Sequence, residues 1–447
     1  MKIFLRTYIG ALYLRPRLFY LLGAVAILHA CAFFIPWLGR MPHLAMGVLM
    51  LLLALDYLLV FLRNGISASR KTPERLSNGD QNQLQVLTEN RYPFPVVLEV
   101  MDELPFQFQE RDFSFRFPLA AGQRKTHAYH LRPVKRGEYA FGALNIYACS
   151  PIGLVMRRYR FDMGKTVPVF PSFLQMRRYQ LMAISNRLSE IGVKKIRRVG
   201  HSMEFEQIRD YVPGDDIRTI NWKATARRDQ MMVNSFTEEK SQQVYCVIDK
   251  GRVMKMPFDG LSLLDHSINA SVVLSNVALL KQDKAGVITF SEEIGDFLPA
   301  SGKVAQMNSI LDLLHRQKTR YLESDFEKLY AHMKRRITQR SLIMLFTNFE
   351  SLNALQRQLP YLRRIARNHL LMVVFFENSL LSEQIQIPAG SLEDVYRRTI
   401  AAKFAFEKKQ IVRELQQHGI LTLLTAPEQL TVNAVNRYLE LKSRQAI

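Results

Sequence analysis

Cysteine and tryptophan are both scarce in this chain of 447 residues, which has 3 and 2 of them. Cys31 lies in an apolar run, Cys149 and Cys246 fall in different predicted domains, and no CxxC pair occurs. The low cysteine count and the absence of CxxC pairs exclude a small secreted domain stabilised by disulfides and a zinc ribbon. They favour a reducing compartment.

The sequence also lacks the short motifs of several enzyme classes. It contains no GxxxxGK[ST], no GxSxG and no HExxH, and no GxGxxG follows the first strand of its C-terminal half. A P-loop ATPase, a serine hydrolase of the α/β type, a zinc protease and a dinucleotide-binding enzyme are therefore not predicted. We expect a protein that is not an enzyme and that needs no cofactor.

Acidic residues are few relative to basic ones. The chain has 40 Asp plus Glu against 61 Lys plus Arg, a formal net charge of +21. Such a balance predicts attraction to an anionic membrane surface, to nucleic acid or to an acidic protein. No recognised nucleic-acid module occurs, so we expect no nucleic-acid partner.

Two long apolar runs occupy the N-terminal region, residues 1–65. Residues 18–38 carry no formal charge, and residues 44–62 are interrupted only by Asp56. Each run is long enough to cross a bilayer, so the pair predicts a membrane hairpin that contacts lipid. Both outer flanks are basic, which places both termini and the soluble domains in the cytoplasm. A cleaved signal peptide is not expected, because the first run is long and a second follows at once.

Asp56 is an acid inside the second apolar run. A functional role in transport is one interpretation of an acid at this depth. The alternative is that its carboxylate binds a neighbouring helix or reaches the interface. The sequence leaves the role of Asp56 open.

Residues 66–171 change from a polar to an alternating pattern. Residues 66–82 are rich in Ser, Gly, Lys and Pro and are predicted to be a linker. Residues 83–171 contain short alternating apolar runs separated by turn residues. That spacing predicts an antiparallel β-sandwich.

Residues 241–447 alternate between apolar strands and longer amphipathic segments. Strands are predicted at Val244–Asp249, 286–290, 341–347, 370–376 and 421–425, with helices between them. Continuous apolar strands between helices indicate a parallel sheet covered on both faces, so we expect a doubly wound α/β domain. Sites in such sheets lie at the carboxyl ends of the strands.

A dense polar segment, residues 172–240, is predicted to join the two domains. Within it Pro213 and Gly214 form a turn, and Asp215 and Asp216 stand where an N-cap and a first-turn acid of a short helix through Ala226 belong. Three interpretations are open. The acids cap the helix and pair with Arg209 and Arg218; or the segment is a protein-docking surface; or the two acids are a catalytic carboxylate pair.

The same segment resembles the signature of a bacterial family called domain of unknown function 58. The matching residues are Glu204, Phe205, Arg209, Tyr211, Pro213, Gly214, Asp215, Asp216, Arg218, Trp222, Lys223, Ala226 and Arg227. An RG-x-Y turn at Arg136 to Tyr139, a P-x-G-L segment at Pro151 to Leu154 and the two membrane spans are also similar to that family. The resemblance implies a C-terminal von Willebrand factor A-like domain, a bacterial inner-membrane location and a MoxR-type AAA+ ATPase as partner.

Von Willebrand-type domains usually hold Mg²⁺ with an Asp-x-Ser-x-Ser motif after the first strand. In this chain Asp249 is kept, but Gly251 and Val253 replace the two hydroxyls, and Asn348 stands where a further acid is expected. Hard oxygen ligands are what Mg²⁺ requires. We therefore expect a degraded site that holds no metal, with Asp249 paired instead to Lys250, Arg252 or Arg218.

Together these features predict a membrane-anchored, non-enzymatic adaptor or co-chaperone-like protein. Its partner would be the MoxR-type ATPase that the resemblance implies. The alternatives are a membrane-tethered hydrolase that uses Asp215 and Asp216, and a scaffold for envelope assembly. Client, pathway and oligomeric state are not encoded in any motif.

Overall fold

The computed structural model describes residues 10–184, 204–213, 215, 217–228, 230–237, 241–377 and 391–444. The chain divides into two compact units, Met1–Val169 and Phe170–Ile447. The side chains of Pro36, Arg218 and residues 181–184, 204–207 and 235–237 lie outside the described parts.

Two apolar helices open the first unit, as predicted. Helix α1 spans Pro16–Phe34 and helix α2 spans Met41–Phe61, with mean hydropathies of 1.8 and 2.4 over their most apolar windows. Proline stands in the first turn of each, where its missing N–H leaves no bond unmade. Both helices are long and apolar enough to cross a membrane. Few of their side chains are buried inside the protein.

The rest of the first unit is antiparallel β-structure. Its strands are β1 (Leu12–Leu14), β2 (Ile66–Lys71), β3 (Leu76–Ser77), β4 (Asn82–Asn90), β5 (Val96–Asp102), β6 (Ser114–Leu119), β7 (Arg124–Leu131), β8 (Gly137–Phe141), β9 (Leu144–Cys149), β10 (Val155–Phe161) and β11 (Lys165–Phe170). They form sheets in the orders β1-β10-β9-β5-β6, β2-β4-β7 and β3-β11-β8. One apolar core contains side chains from all three sheets, among them Leu98, Val86 and Val167. The predicted β-sandwich is confirmed.

The predicted linker is wrong, because residues 66–82 include strands of the sandwich. Strand β2 pairs along its whole length with β4. On β2 the side chain of Arg70 is 1% exposed and forms a salt bridge with the Asp102 carboxylate, which is 0% exposed and also accepts from the Tyr129 hydroxyl. The segment is polar in composition, but it contributes strands to the sandwich, and one of its polar side chains, Arg70, is buried in an ion pair.

The apolar hairpin and the sandwich are joined within the first unit by polar contacts. Asp56 on α2 is buried, and its carboxylate accepts hydrogen bonds from the Ser150 hydroxyl and from the backbone N–H groups of Leu154 (2.7 Å) and Val155 (2.9 Å). Strand β1, which precedes α1, pairs with β10. The acid in the second span therefore binds a loop of the sandwich, and not a neighbouring helix or the interface.

The second unit begins with helix α3 (Phe173–Ile184) and the signature segment, whose described elements are β12 (Glu204–Asp210), α4 (Trp222–Arg228) and β13 (Met232–Thr237). Strands β12 and β13 form a two-stranded antiparallel sheet. Phe170, together with Met176 and Tyr179 of α3, belongs to the same apolar core as the α/β sheet. Helix α3 is thus part of the α/β domain.

The α/β domain has the predicted doubly wound architecture. Its remaining elements are β14 (Gln243–Asp249), β15 (Pro257–Phe258), β16 (Leu261–Ser262), α5 (Leu263–Leu280), β17 (Lys284–Phe290), β18 (Ile294–Ser301), α6 (Gln306–His315), α7 (Phe326–Arg336), β19 (Leu342–Phe346), α8 (Leu352–Asn368), β20 (Leu370–Phe376), α9 (Leu392–Gln417), β21 (Leu421–Thr425) and α10 (Leu430–Ser443). The six-stranded sheet has the order β18-β17-β14-β19-β20-β21, and only β18 is antiparallel. Two apolar cores contain alternate residues of the central strands, such as Cys246 and Val247 of β14, and therefore cover the two faces of the sheet.

Helix α5 shows why hydropathy alone does not identify a membrane span. It is long and apolar enough to cross a bilayer, but 78% of its apolar window is buried inside the protein. Its start is fixed by a capping box, in which the Ser262 hydroxyl accepts from Asp265 N and the Asp265 carboxylate accepts from Ser262 N. The helix is therefore a core element of the α/β domain.

We expect Asp102→Ala to destabilise the sandwich by about 3–5 kcal/mol, because it leaves the Arg70 guanidinium buried without its counter-charge. Hydrogen exchange of the β5 amides in the detergent-solubilised full chain would measure this as a loss of opening free energy. Glu99→Ala, on the same strand, is the matched control. Its partner Arg116 is 55% exposed, so we expect a change below about 1 kcal/mol. Equal effects of the two substitutions would contradict the structural role of the buried pair.

Candidate functional site

Asp249 lies at the carboxyl end of β14, where the strand order of the sheet reverses between β17 and β19. Its carboxylate is buried and accepts hydrogen bonds from the Ser324 hydroxyl, from the Thr347 hydroxyl (2.6 Å) and from Gly251 N (2.7 Å). Burial raises the pKa of Asp249 despite these three donors. The carboxylate therefore binds groups in the loops that contain Ser324 and Thr347, in addition to the backbone of its own loop.

The predicted pairing of Asp249 with Lys250, Arg252 or Arg218 is not what the described residues show. Hydroxyl and backbone donors take the place of a basic side chain at this carboxylate. The physical reason is geometric: the Ser324 and Thr347 hydroxyls reach both carboxylate oxygens from loops that face the strand end.

Gly251 and Val253, the two positions that would carry hydroxyls in a metal site, bring no side-chain donor to Asp249, and Gly251 contributes only its backbone N–H. A Cβ added to Gly251 would lie 2.2 Å from Ser324 Oγ, so a serine does not fit there unless the loop moves. Val253 packs against the apolar core. Arg252, Arg357, Glu323 and Glu350 line the same small cleft as Asp249, and Arg357 pairs with Glu323 at 2.9 Å.

Beside this cleft lies a more apolar pocket of about 280 Å³ at the ends of β19 and β20. Its lining residues are Met256, Phe258, Leu263, Asn348, Glu350, Phe376, Glu377, Phe404, Ala405, Lys408 and Pro427. The Lys408 ammonium donates to Asn348 Oδ1 and to the Phe349 carbonyl oxygen, both at 2.6 Å. Burial lowers the pKa of Lys408 to about 8. Asn348 therefore anchors a lysine of α9, where the sequence pattern had suggested a lost metal ligand.

In the signature segment, Arg209 and Asp215 form a bidentate ion pair. Arg209 Nη1 and Nη2 donate to the two Asp215 oxygens at 2.8 and 2.6 Å, and Val212 N donates to the same carboxylate at 3.0 Å. The hydrogen bonds from Arg209 lower the pKa of Asp215. Tyr211 N bonds to the Met231 carbonyl oxygen at 2.8 Å. These contacts close the turn that contains Pro213.

The expectation that Asp215 caps a helix through Ala226 is wrong. A 3₁₀ turn at Ile217–Thr219 follows the turn, and helix α4 begins only at Trp222. Its cap is Asn221, whose Oδ1 accepts from Ala224 N at 3.0 Å. Asp215 is engaged by Arg209, so it is not available to the helix.

Several of the remaining predicted residues are partly or wholly outside the described parts. Gly214 and Asp216 are not described, and neither is the side chain of Arg218. The backbones of Glu204 and Phe205 pair with Thr237 and Phe236 on β13. The pairing of Asp216 with Arg218, and a catalytic pair of Asp215 with Asp216, remain predictions.

The segment also presents apolar side chains to solvent. Ile217 is 70% exposed, Trp222 is 67% exposed and Val212 is 56% exposed. Lys223 and Arg227 on α4 are exposed as well. We call Val212, Ile217 and Trp222 the signature face. Large apolar and aromatic side chains next to basic ones are the composition of a protein-docking surface.

Sequence reasoning missed three residues that organise these sites: Asn221, Ser324 and Lys408. Asn221 had a local signal, since Asn directly before a helix is a favoured cap. Ser324 and Lys408 had none. Ser324 lies 75 residues from the Asp249 carboxylate along the chain, and Lys408 lies 60 residues from Asn348.

We expect Asp249→Ala to lower the opening free energy of the α/β domain by about 1–3 kcal/mol, because two buried hydroxyls lose their acceptor. Hydrogen exchange at β14 would report the loss, with the exposed Asp312→Ala as control. Titration calorimetry should show the same weak Mg²⁺ binding before and after the substitution. Tight Mg²⁺ binding that disappears in the variant would contradict a degraded metal site.

Lys408 should make the stability of the α/β domain depend on pH. Its pKa is lowered from 10.5 to about 8 in the folded protein, so between these values the unfolded chain binds the extra proton. Stability should therefore rise with pH across this range, relative to Lys408→Met, which cannot titrate. Thermal midpoints of both proteins at pH 7.5, 9 and 10.5 would test this. Parallel pH profiles would contradict it.

Comparison with known proteins finds a family model that matches part of the chain. The family model described as "Protein of unknown function DUF58" matches residues 207–379. The uncharacterized protein YeaD of Bacillus subtilis (strain 168) is 29% identical over 192 residues, which are 41% of this chain and 47% of YeaD. The chain thus matches about half the length of this curated relative.

Two solved structures give weaker likenesses. The conserved hypothetical protein BatB from Bacteroides thetaiotaomicron aligns with 46% of this chain and 100% of its own, at 13% identity and a TM-score of 0.33. The CARDB domain of PF1109 from Pyrococcus furiosus aligns with 23% of this chain and 86% of its own, at 13% identity and a TM-score of 0.17. At such TM-scores neither structure informs function. By its sequence, this chain contains a DUF58 family domain at residues 207–379.

Proposed function

We propose that this chain is a membrane-anchored, non-enzymatic protein that binds a protein partner through its DUF58 domain. The observation that carries the proposal is the signature face, which lies within the matched family domain and leaves Trp222 and Ile217 largely exposed. Exposed aromatic and large apolar residues are typical anchors of protein interfaces. The Arg209–Asp215 ion pair holds that turn closed without a partner.

The anchor in this proposal is the helical hairpin. Helices α1 and α2 have membrane-spanning length and composition, and the basic flanks of the hairpin favour a cytoplasmic position for the soluble domains at a bacterial inner membrane. The hydrogen bonds of Asp56 connect helix α2 of the hairpin to the sandwich.

For the partner we propose a MoxR-type AAA+ ATPase, as the family resemblance implies. The chain has no P-loop of its own, and its +21 charge favours an acidic binding surface on the partner. Basic side chains next to the signature face, Lys223 and Arg227, would contribute to that complementarity.

The contacts of Asp215 weigh against the alternative of a membrane-tethered hydrolase. A general acid at neutral pH needs a raised pKa, but Arg209 lowers the pKa of Asp215. Both of its oxygens also accept hydrogen bonds that close a turn. Asp215 therefore fits a structural role. An envelope-assembly scaffold would use the same docking surface without an ATPase.

We expect the double variant Ile217→Ala/Trp222→Ala to weaken retention of the AAA+ ATPase about tenfold or more, because it removes the two largest exposed anchors of the signature face. The measurement is co-purification of the tagged full chain from membranes with ATP present, with the ATPase identified by mass spectrometry. Phe106→Ala is a matched control, since Phe106 is 85% exposed on the sandwich. The partner proposal fails if the wild-type chain retains no AAA+ ATPase, and the role of the signature face fails if both variants retain it equally.

A further inference from the structure

The base of the helical hairpin is held against one loop of the sandwich, residues 149–155. Strand β1 pairs with β10 at the end of this loop, and Arg15 N donates to the Leu154 carbonyl oxygen at 3.0 Å. The Leu154 side chain belongs to a small apolar cluster with Leu18 and Val25 of α1 and with Leu49 of α2. The first residues of α1 are thereby placed directly over the loop.

Two arginine side chains from the start of α1 converge on Gly153 of this loop. Gly153 has a φ of +75°, and the position that a Cβ would occupy lies 3.1 Å from Arg17 Nη1 and 3.4 Å from Arg15 Nη1. The missing Cβ lets both guanidinium groups approach the loop backbone closely, and this brings the two groups near each other. An oxyanion bound beside them could accept hydrogen bonds from both arginines at once.

Neither guanidinium group has a carboxylate partner within the described part of the first unit, residues 10–169. Arg15 Nη1 donates to the Cys149 sulfur at 3.2 Å, which is a weak acceptor. The nearby acid, Asp56, gives its oxygens to Ser150, Leu154 and Val155 instead. The two arginines therefore retain most of their N–H donors.

The electrostatic surroundings of the two guanidinium groups favour a nearby anion. The first turn of α1 contains no acidic residue, although the helix N-terminus carries partial positive charge. Two like charges beside that terminus repel each other and the helix dipole. The usual excess of basic residues on the cytoplasmic side of a span does not require two arginines to meet at one backbone loop.

We propose that Arg15 and Arg17 bind the phosphate of an anionic phospholipid headgroup at the loop of residues 149–155. Both arginines lie at the end of an apolar helix of membrane-spanning length, which is the level at which headgroups occur. Arginine suits this ligand because its planar fork can bind two phosphate oxygens together. The bound lipid would fix the hairpin to the sandwich and to the leaflet at the same point.

The inference rests on the proposed membrane anchor, so the test separates the two. The tagged full chain is purified in mild detergent and titrated with phosphatidylglycerol or with phosphatidylcholine, and bound lipid is counted by native mass spectrometry. We expect Arg15→Gln/Arg17→Gln to weaken phosphatidylglycerol binding about tenfold or more, because two charge-assisted contacts are lost. Arg17→Gln alone should also weaken it. It removes no hydrogen bond found within residues 10–169, so loss of the fold is not expected.

The charge-matched control is Arg40→Gln/Arg63→Gln, which removes two exposed basic side chains from the ends of α2. We expect it to change phosphatidylglycerol affinity less than about twofold. Equal binding of the two lipids, or an equal effect of the control and the Arg15/Arg17 variants, would overturn the proposal. A second arm titrates inorganic phosphate into the delipidated protein. Phosphate binding that Arg17→Gln removes, with no selective lipid binding, would keep the anion site and assign it to free phosphate.

Extraction of membranes with alkaline carbonate tests the anchor independently. Release of the wild-type chain into the soluble fraction would reject the membrane anchor, and the inorganic phosphate arm would then decide the anion site alone. Retention in the membrane, together with unchanged lipid binding in Arg15→Gln/Arg17→Gln, would reject only the lipid site.

Discussion

A carboxylate that is buried away from water must be given hydrogen-bond donors, and this requirement joins the parts of the molecule. Asp56, Asp102 and Asp249 are each buried, and each binds groups that are distant in sequence. An unpartnered buried charge would destabilise the fold by several kcal/mol, about as much as a typical domain can tolerate losing. The donors around these acids are therefore as much a part of the architecture as the apolar cores.

The same requirement explains what the switch point of the α/β sheet does in this chain. A carboxylate at the end of the first strand of such a domain could serve a cation if hydroxyls and further acids surround it. Here the hydroxyls of Ser324 and Thr347 donate to Asp249, while Gly251 makes room for Ser324. The loops at the strand ends are thus held together by hydrogen bonds. This carboxyl end of the sheet lies beside an apolar pocket.

The signature segment and the hairpin illustrate two uses of arginine. Arg209 neutralises Asp215 and closes a turn, so its charge is satisfied within the segment. Arg15 and Arg17 meet at Gly153 and have no carboxylate partner within residues 10–169, so in the proposed site a ligand supplies their counter-charge. Net charge alone does not separate these cases. A positive balance of +21 states only that some basic side chains have no counter-charge within the chain.

By itself, the sequence determined the elements whose signal is local and periodic. The two apolar helices, the alternating strands of the sandwich and the apolar strands of the α/β sheet all follow from patterns of a few residues. The signature residues likewise indicated the family whose model matches residues 207–379. Only the tertiary structure decided which polar groups meet. Part of the predicted linker is strand β2, on which Arg70 pairs with Asp102. The helix cap is Asn221 and not Asp215. Lys408 binds Asn348. These contacts depend on how separate elements are placed in space, and no local pattern contains that information.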